Sequence, residues 1–154
     1  MSYALDVNIL VYASDSSSPL HGQAREFLDR CARSPDMFYL SWSTVMSYLR
    51  LITHPAICAR PLSPDEARRN VDALVSLPQV RLLSEQAGYW DVYRELASQL
   101  PVRGNLVPDA HLAALLRQHG VKMLYTNDAD FLKFDSLEVR NPFKPSRSSR
   151  SWPR

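Results

Sequence analysis

The alternation of short apolar runs with amphipathic stretches is the feature that most narrows the folds open to this sequence. Short apolar segments, which predict strands, lie at positions 3–12, 37–40, 80–83, 121–126 and 137–139. Longer segments with apolar residues at helical spacing lie at positions 21–32, 44–53, 63–77, 88–100 and 109–119. Strands that alternate with helices form parallel sheets with helices on both faces. The sequence therefore predicts an α/β fold, a three-layer α/β/α sandwich whose central, mostly parallel sheet has four or five strands.

Local signals set the expected ends of several helices. Ser43 or Thr44 is expected to cap the helix that runs to about residue 53, where a proline follows. Ser63 precedes a proline and two acids, which is a strong start for the next helix. Asp109 is expected to open the helix that ends at Gly120, since glycine suits the left-handed backbone of a helix C-terminus.

An acidic residue interrupts the first apolar segment. Positions 3–12 are apolar except at Asp6 and Asn8, so we expect a strand buried on both faces with these residues near its C-terminal end. A carboxylate among Ala, Leu, Val and Ile side chains is costly to bury without a partner. Asp6 is therefore the strongest candidate for a functional residue.

Three further acids are expected at the same edge of the sheet. Asp109 would open the helix before the fourth strand, and Asp128 and Asp130 follow that strand. Ligands of open parallel sheets bind beyond the C-terminal ends of the strands, so these carboxylates converge with Asp6 if the strands are neighbours. Aspartate also suits the first turn of a helix and tight turns, and this ordinary explanation stays open for each of the three.

Converging carboxylates repel one another and need a compensating cation. Magnesium is a hard ion that takes oxygen ligands and keeps several water molecules. Such an ion can orient a phosphodiester, activate water and stabilise the leaving oxygen. The set of acids is therefore compatible with nuclease chemistry.

Other polar and aromatic residues carry weaker signals. Asn8 could bond to Asp6 or to a metal-bound water, or cap loop backbone, and Thr126 could position water or phosphate, or be an ordinary strand residue. The four histidines lack the spacing of a zinc site and are expected to be structural or surface residues. Several aromatic residues at helical or strand spacing are expected in the core, with stacking on nucleobases as the alternative. They are Trp42, Tyr48, Trp90 and Tyr93.

Charge is unevenly distributed along the 154 residues, whose formal net charge is +2. Positions 144–154 hold four of the 18 Lys and Arg residues and no acid, which leaves 14 basic against 16 acidic residues, a net charge of −2, in positions 1–143. We expect one domain at 1–143 and a basic, disordered tail at 144–154. Charge alone gives no reason to expect nucleic-acid binding. Without a signal peptide or a long apolar span, a cytoplasmic location is expected.

Three blocks of the sequence resemble the acidic blocks of PIN domains. They are LDVNIL at positions 5–10, LVPDAHLAAL at 106–115 and YTNDADF at 125–131, in the order and strand–helix context of that family. The stretch LITHP at 51–55 also resembles one that is common among VapC toxins, and the likeness spans about residues 3–143. The chain is thus similar to PIN-domain ribonucleases of the VapC type, the toxins of type II toxin–antitoxin systems.

This resemblance implies a PIN-like fold and an endoribonuclease that cleaves RNA phosphodiester bonds with Mg²⁺, or with Mn²⁺ in its place. It assigns both metal binding and catalysis to Asp6, Asp109 and Asp128, with Asp130 as a further candidate. It also implies a small antitoxin protein as partner and a homodimer with an exposed apolar groove near positions 42–53. No membrane association is expected.

One position departs from the pattern of the family. PIN nucleases usually carry a glutamate on the helix after the second strand, and Ser47 stands there, with no acid between Asp36 and Asp65. The site then has one carboxylate fewer, with Ser47, a neighbouring serine or water in its place. A degenerate PIN module that binds RNA or antitoxin without efficient cleavage is the main alternative. A phosphotransferase with Asp6 as nucleophile is disfavoured, because Asn8 replaces the second acid that such enzymes use.

Overall fold

Five parallel strands form one sheet in the computed structural model of the chain, which describes residues 1–143. The strands are β1 (Tyr3–Leu5), β2 (Phe38–Ser41), β3 (Val80–Leu83), β4 (Met123–Tyr125) and β5 (Glu138–Arg140). Their order across the sheet is β3-β2-β1-β4-β5. The predicted number and direction of the strands are confirmed. The tail predicted at 144–154 lies outside the described residues.

Helices connect the strands throughout the described part of the chain. The α-helices are α1 (Val7–Ser14), α2 (His21–Arg33), α3 (Trp42–Ile52), α4 (Pro64–Val75), α5 (Tyr89–Ala97) and α6 (Leu106–Gln118), and a 3₁₀ helix spans Ala129–Lys133. Within residues 1–143, none of these helices is long and apolar enough to cross a bilayer.

Side chains of the strands alternate between two apolar cores. One core contains Tyr3 and Leu5 of β1, packed against residues of α1, α2, α3 and α4. The other contains Ala4 of β1 and Leu124 of β4, packed against α5, α6 and the 3₁₀ helix. Helices therefore cover each face of the sheet, which confirms the predicted three-layer α/β/α architecture.

The first apolar segment differs from its prediction. Only Tyr3–Leu5 is a strand, and the chain enters α1 directly after Asp6, so Asn8 lies on a helix rather than near a strand end. Asp6 caps this helix, because its Oδ1 accepts a hydrogen bond from the Val7 backbone N–H at 2.7 Å. The prediction of a strand over positions 3–12 was wrong, since an unbroken apolar run does not distinguish a buried strand from a buried helix.

Two helices begin earlier than predicted. Ser41 caps α3 in place of Ser43 or Thr44, and its Oγ accepts from the Thr44 backbone N–H at 2.9 Å. No loop separates β2 from α3, so the residue that ends the strand also caps the helix. Helix α6 begins at Leu106, which places Asp109 within its first turn rather than at its start.

Other predicted helix ends are confirmed. Ser63 forms a capping box with Glu66, in which each side chain accepts a bond from the backbone of the other residue. Gly120 follows the end of α6 with φ of 70°, a left-handed conformation that glycine adopts without steric cost.

The order of the strands creates a crevice at one edge of the sheet. β2 and β3 extend the sheet on one side of β1, whereas β4 and β5 extend it on the other. The chain therefore leaves the C-terminal ends of β1 and β4 in opposite directions, and ligands of such sheets bind at the point where this happens. Asp6 follows β1 directly, and Thr126 follows β4 directly.

Candidate active site

Asp6 and Thr126 lie side by side where β1 and β4 end. The Asp6 backbone N–H donates to the Tyr125 carbonyl at 3.0 Å, which continues the pairing of the two strands. The Thr126 hydroxyl donates to Asp6 Oδ2 at 2.7 Å. Because 120 positions separate these two residues in the chain, the parallel pairing of β1 with β4 is what brings them together.

Thr126 is the centre of a small hydrogen-bond network. Its side chain is fully buried, and its Oγ1 accepts bonds from Asn8 Nδ2 at 3.2 Å and from the Asp128 backbone N–H at 3.0 Å. Asn8 Oδ1 is buried and has no hydrogen-bond partner among the described residues. The network connects α1, the end of β4 and the turn that carries Asp128, and it places Asn8 and Thr126 directly beside Asp6.

Asp6 is a nearly buried carboxylate, with 8% of its surface exposed. Burial raises its pKa above the ordinary value, and the negative charge of Asp128 adds to this effect. Hydrogen bonds from Thr126 and from the Val7 N–H favour the ionised form and lower the pKa. The carboxylate is thus held in one orientation, at an electrostatic cost that a nearby cation would reduce.

Three other carboxylates lie together beyond the same strand ends. Oxygen atoms of Asp109, Asp128 and Asp130 all lie within 4.8 Å of one another. Asp109 comes from the first turn of α6, and Asp128 caps the 3₁₀ helix by accepting a bond from the Asp130 N–H at 2.9 Å. This spacing allows one ion to contact all three side chains.

The pKa of Asp109 is raised by burial and by neighbouring negative charges. Burial raises the pKa of Asp109 to about 7, with further contributions from the charges of Asp128, Asp6 and Asp130. The positive charge of Lys133 opposes this shift of the pKa. Asp109 is therefore largely protonated below neutral pH when no other cation shares the site.

The observed cluster differs from the predicted metal-binding set in one member. The predicted set is Asp6, Asp109 and Asp128, whereas the described carboxylates that lie within 4.8 Å of one another include Asp130 and not Asp6. Asp6 is nevertheless close, since it lines the same cleft as Asp109 and Thr126 bonds both to Asp6 Oδ2 and to the Asp128 backbone N–H. The acids therefore form one site with two parts, a cluster of three and a buried carboxylate held beside it by Thr126.

Lys133 also belongs to the site, although it is not among the residues predicted from the sequence. Its Nζ lies 3.3 Å from Asp130 Oδ1, and both side chains are more than half exposed. The sequence signal for this pair is a lysine three residues after an acid, a spacing that brings the two side chains together on a helical turn. An exposed pair of this kind contributes little stability, so it does not prevent Asp130 from contacting a different cation.

The acidic site opens into a cleft of about 480 Å³. Helix α3 lines one part of it with Ser43, Thr44 and Ser47, and α5 together with the N-terminal part of α6 lines another. Asp6 and Asp109 also line the cleft. Ser47, which stands where the family usually has a glutamate, therefore faces the site, a point that the sequence alone left open.

Replacing Ser47 with glutamate is expected to lower by about 5-fold the concentration of a divalent cation that half-saturates the acidic site. A third carboxylate in the lining of the cleft, beside Asp6 and Asp109, increases the attraction for a divalent ion, and it also increases repulsion between the carboxylates when the ion is absent. The Ser47→Glu protein should therefore melt at a lower temperature than wild type in EDTA. Calorimetric titration of the protein with a divalent cation such as Mg²⁺, and thermal melts with and without EDTA, measure the two effects.

Glutamine at the same position is the matched control. Ser47→Gln adds a side chain of the same size without charge, and Ser47→Ala removes only the hydroxyl, so neither should change the Mg²⁺ midpoint by more than about 2-fold. A folded Ser47→Glu protein with an unchanged midpoint would show that the missing acid belongs at another residue.

The two tryptophans expected in the core are exposed. Trp42 and Trp90 keep 47% and 63% of their surfaces open to solvent, whereas Tyr48 is buried and Tyr93 is half-buried. The core prediction was wrong for both tryptophans, because helical spacing shows which residues share a face but not which face meets the core. Met46 is also exposed, so α3 presents apolar surface in the region where the groove was expected.

Histidines do not belong to any group of three or more possible metal ligands within residues 1–143. His111 lines the cleft and pairs with Glu85, and the ring of Tyr89 meets its ring edge-on at a centroid distance of 5.6 Å. His21 Nδ1 lies 2.9 Å from the carbonyl oxygen of Tyr12. These contacts agree with the structural roles expected from the sequence.

The sequence has clear relatives. The sequence model of the PIN domain matches residues 3–137. Ribonuclease VapC48 of Mycobacterium tuberculosis is 43% identical over 143 residues, which cover 93% of this chain and 99% of the relative. The VapC ribonuclease Mb2897 of Mycobacterium bovis is 33% identical over 138 residues, which cover 90% of this chain and 93% of the relative.

Solved structures share the fold. One is a chain of VapBC2 from Rickettsia felis, which was solved bound to a DNA fragment from the VapBC2 promoter. It superposes with a TM-score of 0.66 at 19% identity, over 92% of this chain and 98% of that one. VapC20 of Mycobacterium tuberculosis, described as a Sarcin-Ricin loop cleaving toxin, has a TM-score of 0.66 at 20% identity, over 90% and 98%. At these identities the likeness concerns the fold alone. With the domain match and the two closer relatives, it shows that the chain belongs to the PIN domain family and, within it, to the VapC ribonucleases.

Proposed function

We propose that the chain is a metal-dependent endoribonuclease that cleaves RNA phosphodiester bonds as the toxin of a toxin–antitoxin pair. The observation that carries this proposal is the acidic site, in which Asp109, Asp128 and Asp130 lie within 4.8 Å of one another beside the nearly buried Asp6. Such a group of carboxylates is electrostatically unfavourable without a cation. Membership of the VapC ribonucleases supports the same chemistry.

The side chains of the site suit a hard divalent cation. Carboxylate oxygens are the ligands that Mg²⁺ and Mn²⁺ prefer, and no histidine or cysteine of residues 1–143 joins the cluster. We assign Mg²⁺ as the ion, with Mn²⁺ able to replace it. Asp6, Asp109 and Asp128 are the proposed ligands, with Asp130 as a further oxygen donor. When bound, the ion supplies positive charge that polarises a phosphodiester and favours the ionisation of water.

Groups of the chain itself have separate tasks in this proposal. Thr126 and the Val7 N–H hold the two oxygens of Asp6 in place, and Asn8 steadies Thr126. Asp109, with its pKa raised to about 7, holds a proton below about pH 7 in the metal-free protein and releases it when a cation enters. The cleft between α3 and α5 admits a strand of RNA to these groups.

An antitoxin partner and a homodimer are part of the same proposal. The fold is shared with a toxin solved in a VapBC complex, and the exposed Trp42 and Met46 of α3 offer apolar surface for protein contact. We expect the protein to act in the cytoplasm. For the antitoxin, we expect a neighbouring short reading frame that encodes a DNA-binding protein. For the homodimer, we expect light scattering to show a dimer at micromolar concentration; a strict monomer would contradict it.

Cleavage of a labelled RNA by the purified protein tests the enzymatic proposal. Product should appear with Mg²⁺, disappear with EDTA, and return when excess Mg²⁺ or Mn²⁺ is added. Asp6→Asn should slow cleavage by about 100-fold or more, because even residues that only orient metal ligands affect activity by about 10- to 100-fold.

A matched change away from the cleft controls for charge. Asp72 is exposed on α4 and does not line the cleft, so Asp72→Asn should cleave at the wild-type rate. Binding of RNA without cleavage at any Mg²⁺ or Mn²⁺ concentration would support the degenerate PIN module instead.

A further inference from the structure

The cleft contains a series of aromatic rings that the metal chemistry does not use. Trp90 and Tyr93 of α5 are stacked, with centroids 5.5 Å apart and planes inclined by 14°. Tyr93 is followed by Tyr89 at 6.4 Å, and Tyr89 contacts the edge of His111 on α6 at 5.6 Å. All four rings line the same cleft as Asp6 and Asp109.

The inner end of this series is attached to the helix that carries Asp109. Tyr89 Oη donates a hydrogen bond to the His111 carbonyl at 3.0 Å, and the His111 side chain pairs with Glu85. Tyr89, the first residue of α5, is half-buried and packs against the core that α5 and α6 share. Since His111 lies two positions after Asp109, these contacts hold the rings of α5 at a set position relative to the acids.

The outer end of the series is a ring open to solvent. Trp90 is 63% exposed, although burial of an indole is strongly favourable. Tyr93 supports one face of this indole, and the exposed fraction leaves room for a second planar group to stack. A nucleobase is such a group, and stacking on aromatic side chains is the usual way in which proteins bind unpaired bases.

The charges around the cleft favour the stacking of RNA bases over contacts with RNA phosphates. None of its lining residues within positions 1–143 is Lys or Arg. On the neighbouring helices, Arg94 pairs with Asp91 at 2.6 Å and Arg117 pairs with Glu95 at 3.1 Å. Because no Lys or Arg is among its lining residues within positions 1–143, this wall of the cleft offers RNA an aromatic surface for stacking.

We propose that Trp90, supported by Tyr93, is a stacking platform for an unpaired nucleobase of the RNA substrate near the phosphate that is cleaved. The inference rests on the proposed ribonuclease function and adds a residue that selects single-stranded RNA. Paired bases of a duplex do not present a free face, so the platform discriminates against double-stranded RNA, with little preference among the four bases. Contact with a second copy of the chain is the competing use of this surface.

Tryptophan fluorescence reports the contact directly. The full chain with Trp42→Phe and Trp152→Phe retains Trp90 as its only tryptophan, and Asp109→Asn in the same protein prevents cleavage during the measurement. A single-stranded oligouridine of about 12 nucleotides, close to the length that such surfaces bind, should quench the fluorescence to saturation. A duplex of the same length should not.

Affinity for labelled oligouridine, measured by anisotropy in the Asp109→Asn protein, tests the energetic role. Trp90→Ala should weaken binding by about 5- to 150-fold, the range expected for the loss of one stacked base, and Trp90→Phe should recover most of the affinity. Ile57 is exposed outside the cleft, so Ile57→Ala controls for a loss of apolar surface and should bind as the parent does.

Three outcomes decide between the alternatives. Unchanged fluorescence, or equal RNA affinity of Trp90→Ala and its parent, would overturn the platform even if the wild-type protein cleaves RNA. A dimer that becomes a monomer in Trp90→Ala, with RNA affinity unchanged, would also overturn it and assign Trp90 to contact between copies. If RNA quenches the Trp90 fluorescence but the wild-type protein cleaves no RNA with Mg²⁺, the result would support the platform and overturn the ribonuclease function.

Discussion

Replacement of Asp109 with asparagine is expected to remove nearly all RNA cleavage and, at the same time, to stabilise the metal-free protein. Cleavage should fall by about 100-fold or more, since the loss of a direct metal ligand should exceed the 10- to 100-fold effect of its outer partners. Stability should rise because an asparagine keeps the shape of the side chain and removes a charge that Asp128, Asp6 and Asp130 repel.

The gain in stability has a defined dependence on pH. The pKa of Asp109 is raised from 3.8 to about 7 in the folded protein, so between these values the folded state keeps a proton that the unfolded state has lost. The free energy of unfolding of the wild type therefore falls as pH rises through this range. The Asp109→Asn protein does not lose stability in this way. Above about pH 7 its free energy of unfolding should exceed that of the wild type by about 2 kcal/mol, after allowance for solvent screening of a partly exposed group.

Thermal melts in EDTA at a series of pH values measure this difference. At about pH 8 the variant should melt about 5 °C above wild type, and near pH 4 the two proteins should melt alike. Asp72→Asn should follow the wild type at every pH. Added Mg²⁺ should stabilise the wild type more than the variant, because only a state that binds the ion gains from it. A variant that melts below wild type in EDTA would contradict this account of Asp109.

Replacement of Thr126 with valine is expected to lower both stability and activity. Valine keeps the shape of threonine, but it removes the hydroxyl that donates to Asp6 Oδ2 and accepts from Asn8 and the Asp128 N–H. These groups would be left buried or half-buried without a partner, at a cost of about 3 kcal/mol in the free energy of unfolding. Asp6 would also lose its orientation, and cleavage should fall by about 10- to 100-fold.

The pH profile of cleavage separates positioning of Asp6 from simple loss of stability. The bond from Thr126 lowers the pKa of Asp6, so without it the rising part of the profile should move to higher pH. Thr126→Ser keeps the hydroxyl and removes a buried methyl group, and it should cost only about 1 kcal/mol with a normal pH profile. Urea unfolding and initial rates provide the two measurements. A Thr126→Val protein with a normal rate and an unshifted profile would show that the network does not act on the site.

Local patterns in the sequence were sufficient for much of the fold. The parallel sheet followed from the alternation of segments, and the start of α4 followed from Ser63 and the residues after it, because a capping box involves residues only three positions apart. The first segment was misassigned for a physical reason. Both a buried strand and a buried helix need continuous apolar residues, and the turn at Asp6 depends on a bond to Val7 that composition does not reveal.

The candidate site was predictable in outline. Parallel strands place their C-terminal ends at one edge, so acids after β1 and β4 were expected to meet there. The resemblance to PIN domains selected the same acids. The sequence named Asp130 as a further candidate, but it did not show that Asp130, and not Asp6, lies within 4.8 Å of both Asp109 and Asp128, because the turn of the 3₁₀ helix and the bonds of Thr126 place these oxygens.

Periodicity and contacts between near neighbours were enough to establish the class of fold, the order of the segments and the residue types that reach the edge of the sheet. Three features of the site emerged only in three dimensions: Ser47 faces the cleft, Thr126 bonds to Asp6, and Trp90 remains exposed beside the acids. The bond from Thr126 to Asp6 depends on the pairing of β1 with β4, whereas the positions of Ser47 and Trp90 depend on how helices from opposite layers pack across the ends of these strands. Contacts between residues as far as 120 positions apart follow from strand order and helix orientation, which no local pattern specifies.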